Sequence, residues 1–125
     1  MRILYVDDEA VLCKAFARAL RSKGTTVVTA TSATEALSVL KDSTDDWDVV
    51  ATDYRMPEMD GLELLKAARE HAPRAWRLLV TGQAHGELSA RMDELAGAVD
   101  ELVAKPWTLD DMRRIVGAAA DRRRR

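Results

Sequence analysis

The sequence predicts an α/β fold, an open and doubly wound parallel sheet built from five β-strand–α-helix units, or (βα)5. Short apolar runs alternate with segments of helical spacing along the 125 residues. The runs are nearly continuous rather than alternating, which is typical of parallel strands covered on both faces. A closed barrel of eight such units would need about twice this length. Right-handed crossovers then favour an open sheet, for which the strand order 2-1-3-4-5 is the common solution.

The predicted strands are the apolar runs themselves. Runs of this length, separated by helix-period segments, indicate strands rather than helices. They are Ile3–Val6, Thr26–Thr29, Val49–Thr52, Leu78–Thr81 and Leu102–Ala104.

The first two helices are predicted from apolar spacing and from their ends. Leu12, Phe16 and Leu20 recur at i, i+4 and i+8 and therefore share one helix face. Gly24 is expected to end this helix as its C′ residue. The stretch Ser32-Ala33-Thr34-Glu35 matches a capping box and predicts the start of the second helix.

Three more helices follow in the same way. Asp60 is expected to cap the third helix, with Gly61 allowing a close backbone approach. The stretch Thr108–Asp111 is expected to open the fifth. The apolar faces are Leu62 and Leu65 in the third helix, Leu88, Met92 and Leu95 in the fourth, and Leu109, Met112, Val116 and Ala119 in the fifth.

The bulk composition predicts one ordinary globular domain, over residues 1–120, followed by a basic tail or the start of a linker at 121–125. Hydrophobic residues make up 47% and charged residues 32%, and the net charge of −2 favours neither nucleic acid nor membrane. The four arginines at the end would release only a few counterions and favour a helix end or linker over a nucleic-acid clamp. No signal peptide or membrane span is visible, so a reducing cytoplasm is expected. The lone Cys13 is expected to be a small buried thiol.

Two predicted strands end in acids. Strand 1 runs into Asp7 and Asp8, and strand 3 runs into Asp53. In the order 2-1-3-4-5 the carboxyl ends of these strands meet at the point where the order reverses. Three carboxylates there cannot all stay ionised without a counter-charge, and a hard cation with few protein ligands and several waters suits Mg²⁺. The sequence therefore predicts a magnesium site.

Two further polar residues end neighbouring strands at the same edge. Thr81 ends strand 4 with a hydroxyl, and Lys105 ends strand 5 with a mobile ammonium group. A metal, a hydroxyl and an ammonium around one carboxylate suit the binding of an anion on that carboxylate, of which a phosphoryl group is the obvious example. An aspartate nucleophile can accept such a group covalently.

Four motifs carry a family resemblance. "YVDDE", "TDYRMPEMDG", "LLVTG" and "VAKPW" stand in the order and close to the spacing of a receiver domain of two-component response regulators, which is a flavodoxin-like fold. The chain resembles that family over essentially its whole length. The resemblance implies that Asp53 is the phosphoacceptor. It also implies that Asp7 and Asp8 bind Mg²⁺, with Asp8 the more direct ligand, and that Arg55 offers its backbone carbonyl.

The resemblance also implies roles at strands 4 and 5. Thr81 would hydrogen-bond the phosphoryl group, Lys105 would pair with it, and the Lys105-Pro106 bond would be cis. The family often has Tyr or Phe three residues before the lysine, where this chain has Leu102, which argues against output through an aromatic rotamer. The stretch between Thr81 and Lys105 is slightly long, so a mobile or shifted fourth helix is expected.

Partners follow from the same resemblance. A sensor histidine kinase or phosphotransfer protein would donate the phosphoryl group. The surface of helix 4, strand 5 and helix 5 would then change and control an output partner or a downstream domain. Formation of a homodimer through the face of helix 4 and helix 5 is also predicted. No enzyme activity is expected beyond self-phosphorylation from small donors and self-dephosphorylation.

Two other functions compete with this one. A receiver fold used as a phosphorylation-independent interaction module is mildly favoured by Leu102 and opposed by the acids, Thr81 and Lys105. A phosphatase with an aspartate nucleophile would need a second Asp two residues later, where Arg55 stands.

Several residues have structural interpretations or open ones. Asp8 could simply cap helix 1, and Asp7 could be a loop acid. Arg55 could pair with Glu58 or Glu87, or shield a phosphoryl group from water. Trp107 is expected to pack on helix 5. The acids Asp45, Asp46 and Asp48 are expected to form a solvated loop at the opposite end of the sheet.

Overall fold

The computed structural model describes residues 1–42, 46–82 and 85–123, and it has the predicted α/β architecture. Five parallel strands form one sheet in the order β2-β1-β3-β4-β5. Each observed strand contains its predicted run and extends it by one residue, or by two in β4. The strands are β1 (Arg2–Val6), β2 (Thr26–Ala30), β3 (Val49–Asp53), β4 (Trp76–Thr81) and β5 (Glu101–Ala104).

Helices cover both faces of this sheet. One core layer packs α1 and α6 against the sheet, and the other packs α2, α3 and the two short helices α4 and α5. The helices are α1 (Ala10–Leu20), α2 (Ala33–Asp42), α3 (Gly61–His71), α4 (His85–Ser89), α5 (Met92–Ala98) and α6 (Leu109–Arg123).

The fourth predicted helix is wrong in one respect, because two short helices replace it. Leu88 and Leu95 reach the core, but Met92 is 63% exposed, so the three residues do not form one buried stripe. The helix is interrupted at Arg91, whose φ of −117° and ψ of 26° lie outside the helical region. The segment between β4 and β5 therefore contains two short helices on either side of Arg91.

Helix ends follow the predicted capping chemistry, with one error. Ser32 accepts a hydrogen bond from the Glu35 amide at 3.1 Å, as in a capping box. The predicted C′ role of Gly24 is wrong. Helix α1 ends at Leu20 with Arg21 as its C-cap, and Gly24 instead takes φ 84° in the turn before β2.

Two later helix starts agree with prediction. Asp60 caps α3 and accepts from the Glu63 amide at 2.9 Å. Thr108 and Asp111 exchange backbone-to-side-chain hydrogen bonds at the start of α6. Of the predicted face of this last helix, Met112, Val116 and Ala119 are buried, whereas Leu109 is 44% exposed because it lies at the first position of the helix.

The acids before β3 differ from the predicted solvated loop. Asp45 lies outside the described residues, and Asp46 is exposed as expected. Asp48 is only 9% exposed, and it accepts a hydrogen bond from the Arg2 amide at 2.7 Å. Arg123 of α6 also contacts it, at 3.3 Å. This acid therefore has a structural role that joins β1, β3 and the end of α6.

Candidate functional site

Three carboxylates meet at the carboxyl edge of the sheet. Strands β1 and β3 are neighbours, with Val6 opposite Thr52, so the residues that follow them lie at one level. One oxygen from each of Asp7, Asp8 and Asp53 lies within 4.8 Å of the others. The strand order thus brings together the acids that the sequence singles out.

Asp7 is fully buried and is held by two donors. Its Oδ2 accepts a hydrogen bond from the Tyr5 hydroxyl at 2.8 Å, and its Oδ1 accepts from the Glu9 amide at 3.0 Å. Burial, and then the charge of Asp7, raise the pKa of Tyr5, so its hydroxyl remains a donor. The Tyr5 ring stacks on Phe16 with 4.1 Å between centroids.

Sequence reasoning missed Tyr5, which it treated only as part of an apolar strand. A signal was available, because a buried tyrosine hydroxyl needs a partner and a side chain two residues along a strand lies on the same face. The nearest such partner is Asp7. Asp7 is therefore not a solvated loop acid. Its buried carboxylate is held in a fixed orientation by the two hydrogen bonds.

Lys105 supplies the positive charge between two of the acids. Its Nζ lies 3.1 Å from Asp53 Oδ1 and 3.5 Å from Asp7 Oδ2. Burial raises the pKa of Asp53, the Lys105 hydrogen bond and charge lower it, and the charges of Asp7 and Asp8 raise it again, with a net rise. Burial lowers the pKa of Lys105, but the bond to Asp53 and the two acids outweigh it, so the ammonium form is favoured.

The donor set fits a hard divalent cation. Three carboxylates share one ammonium group, which leaves surplus negative charge in a small volume. Asp8 is exposed and makes no hydrogen bond or ion pair with the part of the chain that the structure describes. Oxygen ligands with an open, solvated side suit Mg²⁺.

A cavity of about 310 Å³ opens beside Asp53. Asp53, Arg55, Thr81 and Lys105 line it, together with Tyr54 and Gly82. Thr81 is 7% exposed and lies at the end of β4, opposite Ala104. The cavity thus collects the carboxylate, the hydroxyl and the ammonium that the sequence predicts at this edge.

The Arg55 side chain pairs with an acid of α4. Of the alternatives for it, the structure shows the pair with Glu87 of α4, at 2.5 Å between Nη2 and Oε1. Both side chains are exposed, 65% and 53%, so the pair is weak.

Gly61 sets how closely α3 approaches the site. Its amide donates to the Tyr54 carbonyl at 2.7 Å. A Cβ atom at this position would lie 2.2 Å from the Asp53 carbonyl oxygen, which no side chain tolerates. The predicted close backbone approach is therefore confirmed, and it occurs directly behind Asp53.

The remaining predicted features lie around β5 and α1. Leu102 is 50% exposed. The Lys105-Pro106 bond is cis, as the resemblance implies. Trp107 packs against the core layer shared by α1 and α6, and its ring lies 6.2 Å from Tyr5 and 5.9 Å from Phe16.

Cys13 is buried, and burial raises its pKa to about 11, in line with an inert thiol.

Fold and site together define a five-stranded α/β domain with an acidic cluster at its topological switch point. The family model described as "Response regulator receiver domain" matches residues 3–117. The chain therefore belongs to the response regulator receiver family, a family of regulatory domains that work with sensor kinases and output domains.

Relatives and solved structures agree with this membership. The chain is 38% identical to the alginate biosynthesis transcriptional regulatory protein AlgB of Pseudomonas aeruginosa over 113 residues, 90% of this chain and 24% of that protein. It is 33% identical to the transcriptional regulatory protein TcrA of Mycobacterium tuberculosis over 112 residues, 90% of this chain and 43% of that protein. The chain thus spans less than half the length of these relatives.

A solved receiver domain protein from Clostridium thermocellum has 29% identity and a TM-score of 0.83, covering 98% of this chain and 96% of that one. Within the described ranges, no helix combines the length and the apolar character that crossing a bilayer requires.

Proposed function

We propose that this domain is the phosphoacceptor switch of a two-component system, located in the cytoplasm. It takes a phosphoryl group from a phosphohistidine of a sensor histidine kinase or phosphotransfer protein onto Asp53, in a reaction that depends on Mg²⁺. One observation carries the proposal: the Asp53 carboxylate lines an open cavity while it lies within 4.8 Å of two other carboxylates and 3.1 Å from Lys105 Nζ.

The residues have distinct roles in this transfer. A carboxylate oxygen of Asp53 attacks phosphorus, the P–O bond forms and the P–N bond breaks, and the imidazole leaves with the electron pair and takes up a proton. Lys105 and the Thr81 hydroxyl donate hydrogen bonds to phosphoryl oxygens. Asp7, Asp8, Asp53 and the Arg55 carbonyl would hold Mg²⁺, which neutralises negative charge on the transferring group.

Phosphorylation would then change the surface formed by α4, α5, β5 and α6. A ligand shifts an equilibrium between pre-existing states by its differential affinity for them, and a covalent phosphoryl group acts in the same way. This surface would control a partner or a downstream domain, or it would form a homodimer. Gel filtration with and without a phosphoryl mimic tests the dimer, and an unchanged monomer in both would contradict it.

We also propose a domain boundary at residue 120, as the sequence predicts. Helix α6 continues through Arg123, and Arg122 pairs with Glu101 at 2.7 Å. These contacts support a structural role for the first two of the four arginines rather than binding to nucleic acid.

Intact mass measurement tests the phosphoacceptor. The protein is incubated with Mg²⁺ and acetyl phosphate, beside an Asp53→Asn variant and an Asp46→Asn variant that alters an exposed acid at the other end of the sheet. We expect one phosphoryl adduct in the wild type and in Asp46→Asn, none in Asp53→Asn, and none without Mg²⁺. An adduct that survives in Asp53→Asn would overturn the assignment.

The alternatives give different results in the same experiment. An interaction module that ignores phosphate, favoured by the exposed Leu102, would show no adduct even with a phosphorylated kinase domain. A phosphatase would hydrolyse the donor over many turnovers. Arg55 argues against a phosphatase, because it stands where such an enzyme needs a second Asp, and a guanidinium cannot act as general acid at neutral pH.

A further inference from the structure

Arg91 lies at the break between α4 and α5 and reaches back to the loop that follows Asp53. Its Nη1 lies 2.6 Å from Asp60 Oδ2 and 3.2 Å from the Tyr54 hydroxyl oxygen. Its Nε lies 2.5 Å from Glu94 Oε2. The Arg91 side chain is 23% exposed, as is that of Asp60, so solvent screens this pair less than the pairs at the surface.

The two loop contacts of Arg91 are at opposite ends of one segment, residues 54–60. Tyr54 follows Asp53 directly and is 4% exposed. Asp60 precedes Gly61, whose backbone packs on the Asp53 carbonyl. One guanidinium group therefore holds both the start and the end of the loop that carries the Arg55 carbonyl.

The loop needs such a restraint. Glu58 lies in it with φ 71°, a left-handed conformation that is unfavourable for a non-glycine residue. Asp60 is also suited to pair with the Arg91 guanidinium. Burial would raise its pKa, but the Glu63 amide and Arg91 outweigh burial and lower it, so Asp60 stays ionised.

We propose that Arg91 is a positioning residue for phosphoryl transfer, which clamps both ends of the 54–60 loop and so places Asp53 and the Arg55 carbonyl. This inference rests on the proposed function. The planar fork of arginine lets Nη1 contact Asp60 and Tyr54 while Nε contacts Glu94 in a fixed geometry, which the compact, rotatable ammonium of a lysine does not reproduce. Because Arg91 also sits at the α4–α5 break, a loop change on phosphorylation changes the break, and the coupling is reciprocal.

A purely structural role would instead make Arg91 one of several bridges between α3 and α5. Lys66 pairs with Glu94, and Arg69 donates to the Gly97 carbonyl. Neither of these bridges touches the 54–60 loop. Lys66→Gln is therefore a matched control, because it removes a bridge to the same Glu94 and leaves the loop contacts in place.

Hydrogen exchange tests the clamp without any phosphodonor. In Arg91→Gln we expect peptides covering residues 54–61 to exchange about ten-fold faster, since the Gly61 amide is bonded to the Tyr54 carbonyl across the loop. In Lys66→Gln we expect these peptides to exchange as in the wild type. Unchanged exchange in Arg91→Gln, with the fold retained by circular dichroism, would overturn the clamp.

Phosphorylation kinetics test the positioning role. With acetyl phosphate we expect Arg91→Gln to react about ten-fold more slowly and to need more Mg²⁺ for half-maximal rate, because small misplacements of reacting groups are costly. Tyr54→Phe keeps the ring and removes one acceptor, so a smaller loss is expected, and Arg91→Lys should fall between Arg91→Gln and the wild type. Lys66→Gln should stay within two-fold of the wild type.

The outcomes separate this inference from the proposed function. Faster loop exchange in Arg91→Gln together with a wild-type phosphorylation rate would overturn the positioning role. Equal slowing in Lys66→Gln and Arg91→Gln would reduce Arg91 to a helix bridge and overturn it as well. A wild type that takes up no phosphoryl group would overturn the proposed function and, with it, the positioning role, while the exchange result would still decide the clamp.

Discussion

The two edges of the sheet both collect aspartates, but they neutralise them differently. At the carboxyl edge, Asp7, Asp8 and Asp53 share Lys105 as the ammonium partner. At the amino edge, the described acids Asp46 and Asp48 meet arginines. Arg123 contacts both of them, and Arg74 lies 3.4 Å from Asp46.

Charge balance therefore separates a functional cluster from a structural one. At the amino edge the acids are matched by guanidinium groups and by the Arg2 amide, so no further cation is needed there. At the carboxyl edge the surplus of negative charge persists beside an open cavity. Under the proposed function, only the second arrangement would gain from binding a metal ion and an incoming phosphoryl group.

The largest effect is expected from Gly61→Ala, which disturbs the carboxyl edge from behind. The new Cβ would lie 2.2 Å from the Asp53 carbonyl oxygen, so α3 or the end of β3 must move. We expect a loss of about 3 kcal/mol in the free energy of unfolding, measured by urea titration, as for severe overpacking. Phosphoryl uptake should fall in parallel.

Gly117→Ala is the matched control for that change. Apart from its chain neighbours and the adjacent backbone of α6, no atom of the described residues lies within 4 Å of a Cβ built on Gly117, so alanine should stabilise the helix by about 0.5–1 kcal/mol. If both glycine variants shifted stability in the same direction, the close approach behind Asp53 would not be the cause.

An intermediate effect is expected from Asp48→Ala at the amino edge. The change removes a buried acceptor from the Arg2 amide and from Arg123, which should cost about 2 kcal/mol of unfolding free energy. Phosphoryl uptake, measured by intact mass at a temperature where the variant is folded, should match the wild type. Reduced uptake by the folded variant would contradict the separation of the two edges.

The smallest effect, and one of opposite sign, is expected from Asp53→Asn without metal. The pKa of Asp53 is raised in the folded protein, so its ionised form destabilises the fold at pH values above that pKa. Neutral asparagine should raise the melting temperature by a few degrees at neutral pH. The difference between variant and wild type should shrink as pH falls through the raised pKa, because wild-type Asp53 then becomes neutral as well.

Mg²⁺ provides the check on this prediction. The ion should raise the melting temperature of the wild type more than that of Asp53→Asn, since a ligand of the native state stabilises it by mass action. A variant that melts below the metal-free wild type at neutral pH would show that Asp53 is matched in charge like Asp48.

The sequence by itself determined the five strands, four of the five predicted helices and the chemistry of the strand ends. Apolar runs marked every strand, because parallel strands in a sheet covered on both faces are nearly continuous in apolar residues. The acids at the ends of β1 and β3 indicated a shared site once the strand order was expected, and Asp60 and Gly61 showed the cap and the close approach of α3. These signals are local, so they are visible in the chain.

Only the tertiary structure decided the contacts between distant residues. The burial of Asp48 under Arg123 and the division of the fourth helix at Arg91 had no unambiguous local signal. Arg91 meets Tyr54 and Asp60 only because α3 and the α4–α5 break pack on the same face of the sheet. A charged side chain is equally compatible with solvent or with an ion pair until packing brings it a partner, and packing is a property of the whole fold.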